Sequence, residues 1–152
     1  MTGRLLVYSF VNNPYRDRLS TILPQTMFFH QLKADLKVLL SIVDNQRITA
    51  ILGVADSKRA SSCFESKAVN KFHKKTISSN ADYELKLDIP SVLPPGFHIR
   101  QRASTTFCNW TMFKIRTATA DHGIPFYFTH CHSRDVDKLK TIDYSPVNTR
   151  HN

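Results

Sequence analysis

The sequence has little cysteine, no signal-peptide-like apolar stretch in its first residues and no long apolar run, and each shortage argues against a class of protein. Its three cysteines, Cys63, Cys108 and Cys131, are a low and odd count. Such a number argues against a disulfide framework and for free thiols. Their spacings match no zinc ligand set. Cys131 sits between His130 and His132 but lacks a further ligand at the usual spacing, so no metal is expected. The start, Met1-Thr2-Gly3-Arg4, runs straight into a strand-like segment without the apolar stretch of a signal peptide. The expected compartment is therefore the cytoplasm. No apolar run nears the ~18–20 residues of a membrane span, so no membrane partner is expected. There is no internal repeat and no low-complexity segment.

What is present fits one ordinary globular domain over residues 1–152, with a loose tail expected from Ser145. Apolar residues make up 41% and charged residues 22%, which excludes a disordered chain. Lys and Arg exceed Asp and Glu by 21 − 12 = 9. That excess permits nucleic-acid binding. The charges are scattered, however, and the densest run is only Lys71-Phe72-His73-Lys74-Lys75. No RRM, KH or helix-turn-helix pattern accompanies it. A solvated basic face is the plainer reading.

Apolar periodicity outlines an α/β chain. Residues 4–10 read as a buried strand, ended by Asn12, Asn13 and Pro14. Phe28, Phe29, Leu32, Leu36, Leu39, Leu40 and Val43 recur at helical spacing and predict a helix over 26–44 with Thr26 as N-cap. Residues 48–55 are β-branched and apolar and predict a central strand. Helix followed by apolar strand is the rhythm of a doubly wound parallel sheet. Residues 56–62 form a polar loop at that strand's carboxyl end, where open α/β sheets bind ligands. Residues 64–72 fit a helix face or a short strand equally well. Residues 83–87 alternate as a strand, and Pro90, Pro94, Pro95 and Gly96 mark a loop. Ser104, Thr105 and Thr106 offer N-caps for a helix that Gly123 closes. Residues 124–129 predict a last strand with His130 at its carboxyl end.

Cys108 falls in the first turn of the helix after Thr106. Unpaired N–H groups and the positive end of the helix dipole favour a thiolate there. His130 ends the next strand, at the sheet edge where a base for Cys108 would stand. Glu65 follows another strand-to-loop transition, where a carboxylate could orient the imidazole. Taken alone, the Cys also reads as core packing, the His as structural and the Glu as a cap.

Thr105-Thr106-Phe107-Cys108-Asn109, followed by Pro125-Phe126-Tyr127-Phe128-Thr129-His130, resembles the nucleophile and histidine segments of the pyroglutamyl peptidase I family of cysteine peptidases, also called pyrrolidone-carboxylate peptidases. Ile51-Leu52-Gly53-Val54-Ala55, then Arg59, then Glu65-Ser66-Lys67-Ala68-Val69-Asn70, is similar to its strand-Gly-x-Ala…Arg and Glu-x-x-Ala-x-Asn elements. Leu23-Pro24 also matches a Leu-Pro of the family. The resemblance covers about residues 4–135. It implies a three-layer, open, mostly parallel sheet with helices on both faces.

For function it implies Cys108 as nucleophile, His130 as general base and acid, and Glu65 as the orienting carboxylate. It implies Phe10, Val54, Arg59 and Asn109 around the substrate. The implied reaction is hydrolysis of an N-terminal pyroglutamyl or related blocked residue from a peptide through a thioester, with neither metal nor organic cofactor. A homo-oligomer is left open. The family's Phe-Gly-Gly-type loop reads Ser9-Phe10-Val11-Asn12-Asn13-Pro14 here, and its Gly-Arg turn reads Asp56-Ser57-Lys58-Arg59. Two competing readings stand beside the peptidase: a relative that has lost its pocket and acts as a binding protein, and a basic nucleic-acid-binding domain.

Overall fold

A computed structural model describes residues 3–145 of the chain. Apart from Ser145, the tail expected at the C-terminus lies outside these residues. The elements run β1 (Arg4–Phe10), α1 (Arg16–Ile22), β2 (Met27–Phe29), α2 (Leu32–Asn45), β3 (Ile48–Asp56), β4 (Ser62–Glu65), β5 (Lys67–Val69), β6 (Glu84–Lys86), β7 (Phe97–Arg100), α3 (Phe107–Thr119) and β8 (Phe126–Cys131). Two 3-10 segments, Ala120–His122 and Ser133–Thr141, complete the list.

Six strands form one sheet in the order β2-β1-β3-β8-β4-β7. Neighbours are parallel except β4 and β8, which run antiparallel. β5 and β6 form a separate antiparallel pair. β3 is apolar along nearly its whole length because both its faces are covered. Period-2 alternation then sorts its side chains. Ile51 and Ala55 join Tyr8, Phe10, Phe126, Phe128 and the α2 and α3 side chains on one face. Ala50, Leu52 and Val54 join Val7, Tyr127, Leu19 of α1 and Val136 and Leu139 of the C-terminal 3-10 segment on the other. Helices thus cover both faces, giving the three layers expected. At Gly53 a Cβ would lie 2.4 Å from Phe128 and 2.7 Å from Tyr8, so these rings close over the strand only because a side chain is absent.

Several expectations are corrected. The helix predicted from Thr26 begins at Leu32, and Met27–Phe29 instead adds a parallel strand to β1. Phe28 and Phe29 fit either period. The Asp35 carboxylate settles the start by accepting the backbone N–H groups of His30 and Gln31 at 2.6 and 2.8 Å. Residues 64–72 resolve into β4 and β5, turning at Ser66. α1 and β7 were not expected, being short and weakly patterned. Thr106 is the N-cap of α3, but its hydroxyl bonds Ser104 rather than capping the helix. Gly123 adopts φ +65° after the helix, as a C′ glycine should. No helix among the described residues is long and apolar enough to cross a membrane.

Candidate active site

The antiparallel contact between β4 and β8 builds the centre of the site. Cys63 stands opposite His130, and Phe64 opposite Thr129. Because strand residues alternate, Cys63 and Glu65 share a face while Phe64 turns into the opposite core. Glu65, 1% exposed, is thereby brought to His130, and His130 Nδ1 and Glu65 Oε1 are 2.7 Å apart. Arg100 is the cross-strand partner of Glu65 on β7, and its Nη1 donates to the same oxygen at 3.3 Å. A buried carboxylate needs this cation, because burying an unpaired charge is costly. Glu65 Oε2 and Arg100 Nε are buried without a hydrogen-bond partner among the described residues.

Other contacts fix the strand ends. Ser62 Oγ donates to Asp135 at 2.7 Å and accepts from the His132 N–H at 2.8 Å. Thr129 Oγ1 donates to the Cys63 carbonyl at 2.7 Å. The Tyr15 hydroxyl donates to the Cys131 carbonyl at 2.6 Å, holding the end of β8.

Cys108 enters from the other side, in the first turn of α3. It lines one cleft of about 370 Å³ together with Cys63, His130, Arg100, Phe10, Phe107 and the 56–61 loop. No hydrogen bond joins its sulfur to His130 among the described residues. Burial pushes the Cys108 thiol up to about 12, and the Glu65 charge adds to the effect, opposed by its own backbone N–H. This reverses the expectation of a thiolate. The helix start does favour the anion, but desolvation and the neighbouring carboxylate outweigh it.

The implied substrate residues divide. Phe10 lines the cleft and meets Phe107 edge to face, with centroids 4.9 Å apart. Arg59 also lines it, on a loop turned by Ser57, whose hydroxyl donates to the Ser61 carbonyl at 2.8 Å. Val54 does not reach the cleft. It alternates with Ala55, which does, and packs in the opposite core beside Leu52. Asn109 is also absent from the cleft wall. Its amide accepts the Val69 N–H at 2.8 Å and donates to the Val69 and Lys71 carbonyls at 2.9 Å each, tying the 69–71 segment to α3.

Sequence reasoning missed Arg100 and Cys63. Arg100 carries no local signal, since it meets Glu65 only through sheet register. Cys63 offered one, a Cys-x-Glu spacing that puts both side chains on one strand face. Sequence spacing pointed to no metal ligand set. Yet Cys63 Sγ, a Glu65 oxygen and a His130 nitrogen lie within 4.8 Å of one another, which is donor geometry for a cation.

No protein-family model and no curated protein matches this sequence. Solved structures do match. The pyrrolidone carboxyl peptidase of Thermus thermophilus aligns with a TM-score of 0.67 at 15% identity, over 94% of this chain and 92% of that one. The chain has the pyrrolidone carboxyl peptidase fold. Pyroglutamyl peptidase I of Bacillus amyloliquefaciens gives 0.66 at 14% identity, over 93% and 91% of the two chains. The pyrrolidone carboxyl peptidase of Thermococcus litoralis gives 0.64 at 14%, over 84% and 76%. Likeness at such identity establishes the architecture, and function has to be argued from the site.

Proposed function

We propose that the chain is a cysteine omega-peptidase that removes a pyroglutamyl or similarly blocked residue from the N-terminus of peptides. The observation that carries this reading is the pairing of buried Glu65 with half-buried His130, opening on the cleft that Cys108 enters from a helix start. The Cys108 thiol is neutral at rest. His130 therefore takes its proton as the sulfur attacks the scissile carbonyl. Glu65 holds the ring orientation and stabilises the imidazolium. First-turn N–H groups of α3 have no partners within the helix and supply the donors that an oxyanion requires. His130 then returns the proton to the departing amine, leaving a thioester on Cys108. Water activated by His130 hydrolyses the thioester and frees the thiol. Phe10 and Phe107 give an apolar wall on which a lactam ring packs.

A second reading is a relative that binds a blocked N-terminus without cutting it. The neutral Cys108 thiol, with no hydrogen bond to His130, favours it. A pyroglutamyl fluorogenic reporter decides between the two. The peptidase releases fluorophore, and Cys108→Ser loses the signal. A reporter that binds wild type and Cys108→Ser alike, with no product from either, selects the second reading.

A further inference from the structure

The geometry points to a zinc-binding site formed by Cys63, Glu65 and His130 at the base of the cleft. The donors are a thiol sulfur, a carboxylate oxygen and an imidazole nitrogen, all mutually within 4.8 Å. A tetrahedral zinc ion with bonds of about 2.0–2.3 Å places its ligands roughly 3–4 Å apart. Glu65 Oε1 is already 3.9 Å from Cys63 Sγ and 2.7 Å from His130 Nδ1, so small rotations admit the ion. A mixed S, N, O set suits zinc better than magnesium or calcium, which take oxygen ligands.

A second observation points the same way. Glu65 Oε2 is buried and has no hydrogen-bond partner among the described residues. Arg100, His130 and Cys63 all engage Oε1, so Oε2 keeps its lone pairs, and either oxygen can serve the ion after a small turn of the carboxylate. Arg100 is itself positive and 3.3 Å away, which opposes a dication. A Cys63 thiolate and the Glu65 carboxylate together cancel the charge of zinc, so the bound cluster is itself neutral, although exchanging one thiol proton for the ion raises the net charge of the site by one. Cys63 and His130 both line the cleft, which gives the ion access, and solvent there completes the tetrahedron.

Protons and charge balance simply. The Cys63 S–H bond breaks, a Zn–S bond forms, and one proton leaves to solvent. If His130 binds through Nδ1, the proton of its neutral ring sits on Nε2. No electron moves. Bound zinc occupies Glu65 and His130, so it blocks the proton transfers proposed for hydrolysis. That consequence rests on the peptidase reading. The site itself rests only on the cluster.

Cobalt(II) titration of the full chain in chelator-free buffer tests it, with zinc as competitor. One equivalent should produce a sulfur-to-cobalt charge-transfer band and the visible bands of tetrahedral cobalt. One equivalent of zinc should bleach both. Cys63→Ala and Cys63→Ser should lose the charge-transfer band, the serine variant keeping the wild-type far-ultraviolet circular dichroism. Cys108→Ala should keep it. No band in the wild type overturns the assignment. So does a band that survives Cys63→Ser, or one that disappears in Cys108→Ala. The spectrum reads metal binding alone, so a chain that binds cobalt but cleaves no reporter fails only the peptidase reading.

Discussion

The two sides of the cleft are built differently. On the β4–β8 side, strand register sets every position: Cys63 against His130, Glu65 against Arg100, Ser62 anchored to Asp135 and His132. Another part of the wall comes from loops, residues 11–15 and 57–61, whose wall residues include Asn12, Lys58 and Arg59. Groups that must hold a proton at a defined distance belong on rigid strands. Groups that select a ligand tolerate loops, where sequence changes cost little stability. The sequence resemblance to the pyroglutamyl peptidase pattern is weakest in these loops, while Cys108, His130 and Glu65 fall in the segments that carry it. On the proposed peptidase reading, chemistry and specificity are therefore separable.

Substitutions on the two sides should differ in size and kind. Glu65→Gln should lower kcat by about 10²–10⁴-fold with KM little changed, the range for losing support of a general base. Steady-state kinetics with the reporter checks this, and an equal loss carried in KM would break the division. Phe10→Ala should act mainly through KM, by about tenfold or more, because it removes apolar surface worth about 1.5–3 kcal/mol when fully covered. Arg59→Ala, on an exposed loop, should change KM by less than Phe10→Ala and leave kcat alone.

One prediction concerns the rigid side itself, and another the Cys108 thiol. Asp135 is almost fully buried. Burial pushes its carboxyl up, but Lys138, Ser62 and Arg134 outweigh that and hold it below its ordinary value. A carboxylate depressed in the folded state adds stability above its unfolded value, and this is lost as pH falls through the folded value. Acid should therefore loosen the β4 anchor. Asp135→Asn should cost about 1–3 kcal/mol at neutral pH and flatten the acid limb of a denaturation-versus-pH series. The smallest effect concerns alkylation of the unliganded protein. With the Cys108 thiol pushed up to about 12, its iodoacetamide rate should rise about tenfold per pH unit through neutrality without a plateau. A plateau near neutral pH, read by peptide mass spectrometry, would mean a preformed thiolate.

Much of this frame was legible in the sequence because long apolar segments carry their own period. β1, β3, α3 and β8 announce themselves, and Gly123 marks a true helix end. Short elements do not. Met27–Phe29 offered two aromatics that fit either a strand or a helix, and tertiary pairing with β1 decided it. The candidate site shows the same divide. Cys108 was legible from its place after Thr106, although the burial that pushes its thiol up, with the Glu65 charge adding to it, comes from packing distant in sequence. The Glu65–His130 contact spans 65 residues and exists only because β4 runs antiparallel in an otherwise parallel neighbourhood. Arg100 stayed hidden because it meets Glu65 only through the β4–β7 register, and Cys63 had only its Cys-x-Glu spacing to mark it. Val54 turns from the cleft by one step of strand alternation, and Asn109 lies on a helix face that turns to the 69–71 segment.

The central claim is that Cys108 carries the acyl group. Rapid-quench mass spectrometry of the chain mixed with a pyroglutamyl ester reads this directly. A pyroglutamyl adduct on the peptide containing Cys108, absent in Cys108→Ser and accumulating less in Glu65→Gln, is the expected result. Turnover with no adduct on Cys108, or with the adduct on Cys63, would contradict it.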